Sequence, residues 1–247
     1  MNEDSTLNKL ILKGAYALII VLIIAVIALL ILKYQVEGEQ NMPFKLSSAF
    51  ILSNAEGYQE TESKDYKWDT EIYQTNDIYF NIEKNKNYKE TQIIKNIKID
   101  NITVNEQPKV GKIEFYRVSN EDDNLFTYKE NYQISDCVEY IGDTKTDLGN
   151  LKISNQGGTI ILRVVNKTEK IYQSNEDELE HSGKLLNQVG ISSENIKTTI
   201  SFDLIIELES DVSFKTNVQL NLPVENIETD GYANSEITKN IIFKREL

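Results

Sequence analysis

The chain has 247 residues and a formal net charge of −13, from 26 Lys and Arg against 39 Asp and Glu. This acidic balance excludes nucleic-acid binding, which needs clustered cationic side chains. A single cysteine, Cys137, excludes an intrachain disulfide, and a single histidine, His181, excludes zinc sites that need several His ligands.

The first predicted element is a membrane-spanning helix. An apolar run from Gly14 to Leu32 lies between Lys13 and Lys33, and it holds no charged residue. As a helix it would measure about 28 Å, close to the ~30 Å hydrocarbon core of a bilayer. We therefore predict a cytoplasmic tail at 1–12, a transmembrane helix at 13–33 that acts as an uncleaved signal anchor, and a stalk at 34–42.

The orientation of this single-pass anchor depends on the lysines that flank it. Lys9 and Lys13 precede the span, and Lys33 and Lys45 follow it, so the positive-inside rule is almost balanced. We expect the N-terminus on the cytoplasmic side of the cell membrane and the domain 43–247 on the outer side, because an acidic all-β domain is typical of exported bacterial modules. After residue 33 the formal charge is about −14, which predicts repulsion from anionic lipid headgroups.

Strands dominate the predicted domain. The residue run at 159–165 is apolar on both faces and predicts a central strand. It is one of eleven strand candidates whose alternation is less regular: Leu46–Ser53, Glu71–Gln74, Ile78–Glu83, Thr91–Ile99, Ile102–Val104, Lys112–Val118, Phe126–Ile134, Val138–Ile141, Leu151–Ser154, Thr159–Val165 and Ile237–Phe243.

One helix and one hairpin follow in the chain. Ser174 or Asn175 can cap a helix that Gly190 ends. Beyond it, residues 196–208 and 214–222 alternate between apolar and polar side chains, and the turn Glu209–Val212 joins them into an antiparallel hairpin. The fold class is therefore all-β: one transmembrane helix, then an antiparallel β-sandwich, of which a jelly roll is one arrangement, with one short helix.

The residues that carry chemistry are mostly carboxylates. The densest acidic segments, Glu121–Asp123 and Asp143–Asp147, lack the spacing of a calcium loop and are interpreted as solvated turns. His181 is interpreted as an exposed helix residue. We predict no catalytic residues, no cofactor-binding residues, no cofactor and no metal site.

Aromatic residues offer the one candidate binding surface. Tyr58, Tyr66, Trp68 and Tyr73 lie close together in sequence, and rigid aromatic faces bind sugar rings and protein partners at small entropic cost. The alternative interpretation is ordinary packing within strands.

The segments Asn41–Leu46 and Phe202–Leu208 (FDLIIEL), together with the anchor, resemble uncharacterised single-pass membrane proteins of AT-rich, Gram-positive-type bacteria. That resemblance implies the membrane plan and carries no activity.

Three functions remain open. The first is a non-catalytic extracytoplasmic module that binds a partner protein or an envelope glycan, or that takes part in envelope assembly. The second is an envelope carbohydrate-active enzyme that uses a pair of Asp or Glu side chains about 5–9.5 Å apart. The third is a scaffold subunit of a membrane complex, in which the span is the assembly element.

Overall fold

A computed structural model describes residues 3–36, 42–60, 65–118, 132–147, 150–176, 184–237 and 241–246. The first described element is helix α1, Glu3–Val36. Its segment Leu12–Leu32 is long and apolar enough to cross a membrane, and no other described part of the chain buries its side chains. This span agrees with the predicted helix at 13–33, and α1 continues beyond it at both ends.

Within the described ranges twelve strands follow, arranged in two six-stranded sheets. Sheet A contains β1 (Phe44–Glu60), β2 (Trp68–Lys84), β4 (Lys112–Tyr116), β5 (Gln133–Ile134), β8 (Gly158–Ser174) and β11 (Tyr232–Ile237), in the order β11-β1-β2-β8-β4-β5. Sheet B contains β3 (Ile94–Glu106), β6 (Val138–Asp143), β7 (Lys152–Ser154), β9 (Thr199–Leu208), β10 (Ser213–Asn221) and β12 (Lys244–Arg245), in the order β12-β10-β9-β3-β6-β7. Neighbouring strands are antiparallel except β6 and β7.

The main hydrophobic core lies between the two sheets. Alternate residues of each strand point inward, so that Phe80 of β2 meets Phe202 of β9 edge to face at 5.4 Å between ring centroids. A polar contact also joins the layers, because the Tyr140 hydroxyl of β6 donates to the Ile161 carbonyl at 2.7 Å and accepts from the Ile161 N–H at 3.1 Å. The Tyr140 hydroxyl therefore pairs both the N–H and the carbonyl of Ile161, because β4 pairs with β8 only at residues 163–167.

A second, smaller core lies where the three 17-residue strands β1, β2 and β8 extend beyond the sandwich. Helix α2 (Lys184–Gln188) and helix α3 (Ile227–Asp230) cover the inner face of this extension. Ile72 of β2 packs there with Leu186 and Ile227, all three fully buried. Buried polar side chains separate this core from the main one: Ser53, Gln74 and Asn76.

The predicted C-terminal hairpin is confirmed as β9 and β10, and the predicted central strand is confirmed within β8. Two predicted strands, Glu71–Gln74 and Ile78–Glu83, are one continuous strand β2, because the polar residues between them are buried and paired with β8. The candidates at 91–99 and 102–104 likewise merge into β3.

The other differences fall at element ends. Of the candidate at 237–243, Ile237 is the last described residue of β11, the prediction is wrong for 241–243, which precede β12 and are not in a strand, and 238–240 lie outside the described residues. Of the candidate at 126–134, β5 holds only Gln133–Ile134, and 126–131 lie outside the described residues. Of the predicted helix, the structure describes only α2 as helical, and residues 177–183, including His181, lie outside the described part. Gly190 follows α2 with a left-handed φ of +71°.

The long strands give the domain two distinct ends. At one end, the backbone N–H of Asn85 donates to the Pro43 carbonyl at 2.7 Å and its side-chain amide donates to the Met42 carbonyl at 2.9 Å. Strand β12 lies at this end as well, with Cα atoms within 8 Å of α1. We call it the anchor end. The opposite end, formed by 65–69 and 173–176, is called the distal tip.

Candidate functional site

Two of the four predicted aromatic residues lie at the distal tip. Trp68 is the first residue of β2, whose last residue, Lys84, lies at the anchor end. Sixteen residue steps of about 3.3 Å separate them, so the tryptophan stands roughly 50 Å along the strand from the anchor end. Tyr66 precedes it with 39% of its surface exposed.

Hydrogen bonds hold the tip in one arrangement. The Trp68 indole Nε1–H donates to the Glu176 carbonyl at 2.9 Å, and the backbone N–H of Lys67 donates to Asn175 Oδ1 at 3.0 Å. The Lys67 ammonium lies 5.8 Å from the centroid of the Trp68 ring, within reach of a cation–π attraction. The ring is half-buried, so one part of it is fixed by the protein and the rest is open to a ligand.

Tyr73 does not belong to this surface. It is 6% exposed, it packs with Tyr116, Tyr132 and Val165, and its hydroxyl donates to Glu71 Oε2 at 2.6 Å. Tyr58 lies on β1 opposite Glu71, and its side chain is outside the described structure. The geometry therefore brings Tyr66 and Trp68 together and separates Tyr73 from them, and a binding role for this set stays a prediction.

A buried ion pair that the sequence did not predict lies on the outer face of sheet A. Arg163 of β8 donates from Nε to Asp77 Oδ1 at 2.7 Å and from its Nη2 nitrogen to Asp77 Oδ2 at 2.9 Å. The two side chains are only 4% and 5% exposed. Burial raises the pKa of neighbouring Tyr79, the Asp77 charge raises it further, and Arg163 opposes both.

A second ion pair lies on the same face. Lys167 of β8 is 2.9 Å from Glu114 of β4, and the Tyr116 hydroxyl donates to the same carboxylate. Desolvation raises the pKa of Glu114, but the bonds from Tyr116 and Lys167 outweigh it and hold this pKa below its usual range. Each of these two carboxylates is therefore bound to a cation of β8, an arrangement that fixes the strands to one another.

The acidic segments give no metal centre in the described part of the chain. Lys152 donates to Asp143 at 2.9 Å, and this bond, with help from Thr144, lowers the pKa of Asp143 to about 2. Asp147 accepts a bond from Asn150 in a turn. Among the described residues no three His, Cys, Asp or Glu side chains converge as metal ligands, and Glu121–Asp123 lie outside them.

Cys137 lies at the surface before β6. Desolvation raises the pKa of its thiol to about 11, with the negative charges of Asp100, Asp136 and Glu139 acting in the same direction. At neutral pH the side chain is therefore a thiol and a poor nucleophile.

No protein-family model, curated protein or solved structure matches this chain.

Proposed function

We propose that this protein is a single-pass membrane protein whose β-sandwich stands outside the cell membrane and binds a partner protein or envelope component at the distal tip. The observation that carries the proposal is the position of Trp68. An aromatic ring fixed by its own hydrogen bond lies at the far end of β2 from the anchor, next to the exposed Tyr66.

Two physical arguments support a binding role at the tip. Aromatic side chains bring large apolar area into an interface for little loss of conformational entropy, and they dominate binding hot spots. The bonds from Trp68 to Glu176 and from Lys67 to Asn175 order the site before any partner arrives, which lowers the entropic cost of association.

The test is site-specific crosslinking in the native cell. A photo-reactive amino acid at Tyr66 is compared with the same amino acid at Tyr232, an exposed tyrosine on the edge strand β11. We expect a discrete adduct from position 66 that disappears when Trp68→Ala is added, and no such adduct from position 232. Equal adducts from both positions, or adducts unaffected by Trp68→Ala, would refute the tip as the binding surface.

The orientation is tested separately. A reporter active only outside the cytoplasm, fused after Leu247, is expected to work, and a reporter active only in the cytoplasm is expected to stay silent. The reverse result would overturn the extracytoplasmic location and leave the crosslinking result intact.

A further inference from the structure

Charge is distributed unevenly along this acidic domain. The segment 84–95 carries four lysines and one acid, Glu90, and the described C-terminal residues 241–246 carry Lys244 and Arg245 against Glu246. Both segments are cationic within a domain whose formal charge is about −14. An overall negative charge therefore conceals a local positive region.

The fold brings these two cationic segments to the anchor end. Asn85, between Lys84 and Lys86, is bonded to Met42 and Pro43, six and seven residues after the end of α1. Strand β12, which is Lys244–Arg245, lies within 8 Å of α1. Lys84, Lys86, Lys89 and Lys244 are exposed, and we call them together with Arg245 the anchor rim.

A further set of contacts fixes the segment 84–95 against the turn between β9 and β10. The β9–β10 turn donates from the Glu209 N–H to the Ile93 carbonyl at 3.0 Å and from the Ser210 hydroxyl to Gln92 at 3.1 Å. A cavity of about 150 Å³ lies between Tyr88 and Arg245 at this place. The turn also carries Asp211, which lies 3.4 Å from Lys95, so Lys95 is left out of the rim.

Apolar side chains are interspersed with the cations. Ile93 is 38% and Ile242 is 49% exposed, and Tyr88 is half-buried at the cavity. Cations beside a few apolar and aromatic groups are the composition that suits the headgroup layer of a membrane.

We propose that the anchor rim binds the anionic headgroups of the bilayer crossed by α1. The inference rests on the membrane insertion of α1 in the proposed function. Each lysine near an anionic surface favours contact by about fivefold, so three lysines together favour it by about a hundredfold. The rim thus holds the anchor end against the membrane, while the acidic remainder of the domain is repelled from it. The proposal differs at the anchor end from the repulsion by anionic headgroups that the net charge alone predicts.

The test uses the full chain in nanodiscs that contain a Ni²⁺-chelating headgroup lipid. In a Cys137→Ser background, a nitroxide at Asn87→Cys reports the rim and one at Tyr66→Cys reports the tip. We expect Ni²⁺ to relax the label at 87 much faster in discs with phosphatidylglycerol than in discs of phosphatidylcholine alone. The difference should vanish in 1 M salt, where the Debye length is about 3 Å. The label at 66 should respond equally in both discs.

The matched variants separate a local effect from net charge. Lys84→Gln/Lys86→Gln/Lys89→Gln should abolish the lipid dependence at 87. Lys109→Gln/Lys170→Gln/Lys184→Gln, which removes three exposed lysines around the second core, should preserve it. Equal relaxation at 87 in both lipids, or equal loss in both triple variants, would overturn the proposal. Failure of the chain to enter nanodiscs would instead refute the membrane insertion on which the proposed function depends.

Discussion

Replacing Arg163 by Met should be among the most damaging single changes in the domain. The variant leaves the Asp77 carboxylate on a 5%-exposed site without the two charge-assisted bonds of 2.7 and 2.9 Å. Each bond to a charged group contributes about 1.5–3 kcal/mol, and breaking a buried pair from one side costs about 3–5 kcal/mol. We therefore expect the free energy of unfolding to fall by about 3–5 kcal/mol.

Urea denaturation of the full chain in detergent micelles measures this loss. Trp68 is the only tryptophan and is held by the bond to Glu176, so its fluorescence should report unfolding of the long strands. With a slope of about 2–3 kcal/mol per molar urea, the midpoint should fall by about 1–2.5 M. Lys197→Met, which breaks the exposed pair with Glu194, serves as the control and should leave the midpoint unchanged.

The paired variant Asp77→Leu/Arg163→Met decides whether the uncompensated charge is the cause. Replacing both partners with apolar side chains should recover most of the lost stability, because no charge then remains buried. If the paired variant is as unstable as Arg163→Met, or if Arg163→Met loses less than about 1 kcal/mol, the reasoning is wrong.

Three further predictions concern other parts of the domain. Gly111→Ala should lower the free energy of unfolding by about 3 kcal/mol or more, because the added Cβ would lie 2.0 Å from Asn166 Oδ1 at a φ of +99°. Gly190→Ala, where the added Cβ meets no atom within 4 Å, should lower it by only about 1 kcal/mol. Equal urea midpoints for the two variants would contradict this prediction. The bond from Lys98 holds the pKa of Glu207 below its usual 4.5, so this carboxylate stabilises the fold above that pH and the stabilisation is lost as the pH falls through the lowered value. The urea midpoint of Lys98→Gln should accordingly fall less between about pH 5 and pH 3 than that of the parent chain. With a thiol pKa of about 11, Cys137 should be alkylated by iodoacetamide more than about a hundredfold slower than a free cysteine at pH 8, and Asp100→Asn should accelerate the reaction.

Local patterns predicted the strands whose two faces differ most clearly. The alternation at 196–208 and 214–222 corresponds to β9 and β10, and the doubly apolar run at 159–165 lies centrally in sheet A. In both cases the residue pattern directly reflects what each face contacts, so no knowledge of partners is needed.

The buried ion pair could not be predicted in the same way. Asp77 and Arg163 are 86 residues apart, and nothing near Asp77 indicates which cation lies opposite. The polar run at 75–77 suggested a break between strands, although it is the buried middle of β2. Residues that are polar in the local sequence are buried here because β2 pairs with β8, which is distant in the chain.

The spacing of the aromatic residues could have predicted that Trp68 and Tyr73 lie on different faces of the sheet. Trp68 and Tyr73 are separated by five positions, an odd number, and lie on the same strand. Alternation therefore sends them to opposite faces, which agrees with the separate surroundings that each one has. The predicted strand began at Glu71 and therefore left Trp68 outside it, which prevented this deduction.

The direction of β1 has a mechanical consequence. A force applied between α1 and the distal tip is carried by the 17 residues Phe44–Glu60, which already rise about 3.3 Å each, close to the ~3.3–3.6 Å maximum of a stretched chain. This strand has almost no slack to release, and its bonds to β2 and β11 are loaded in shear along its length. The domain should therefore resist extension, so that a pulling force applied at the distal tip reaches α1 while the sandwich stays folded.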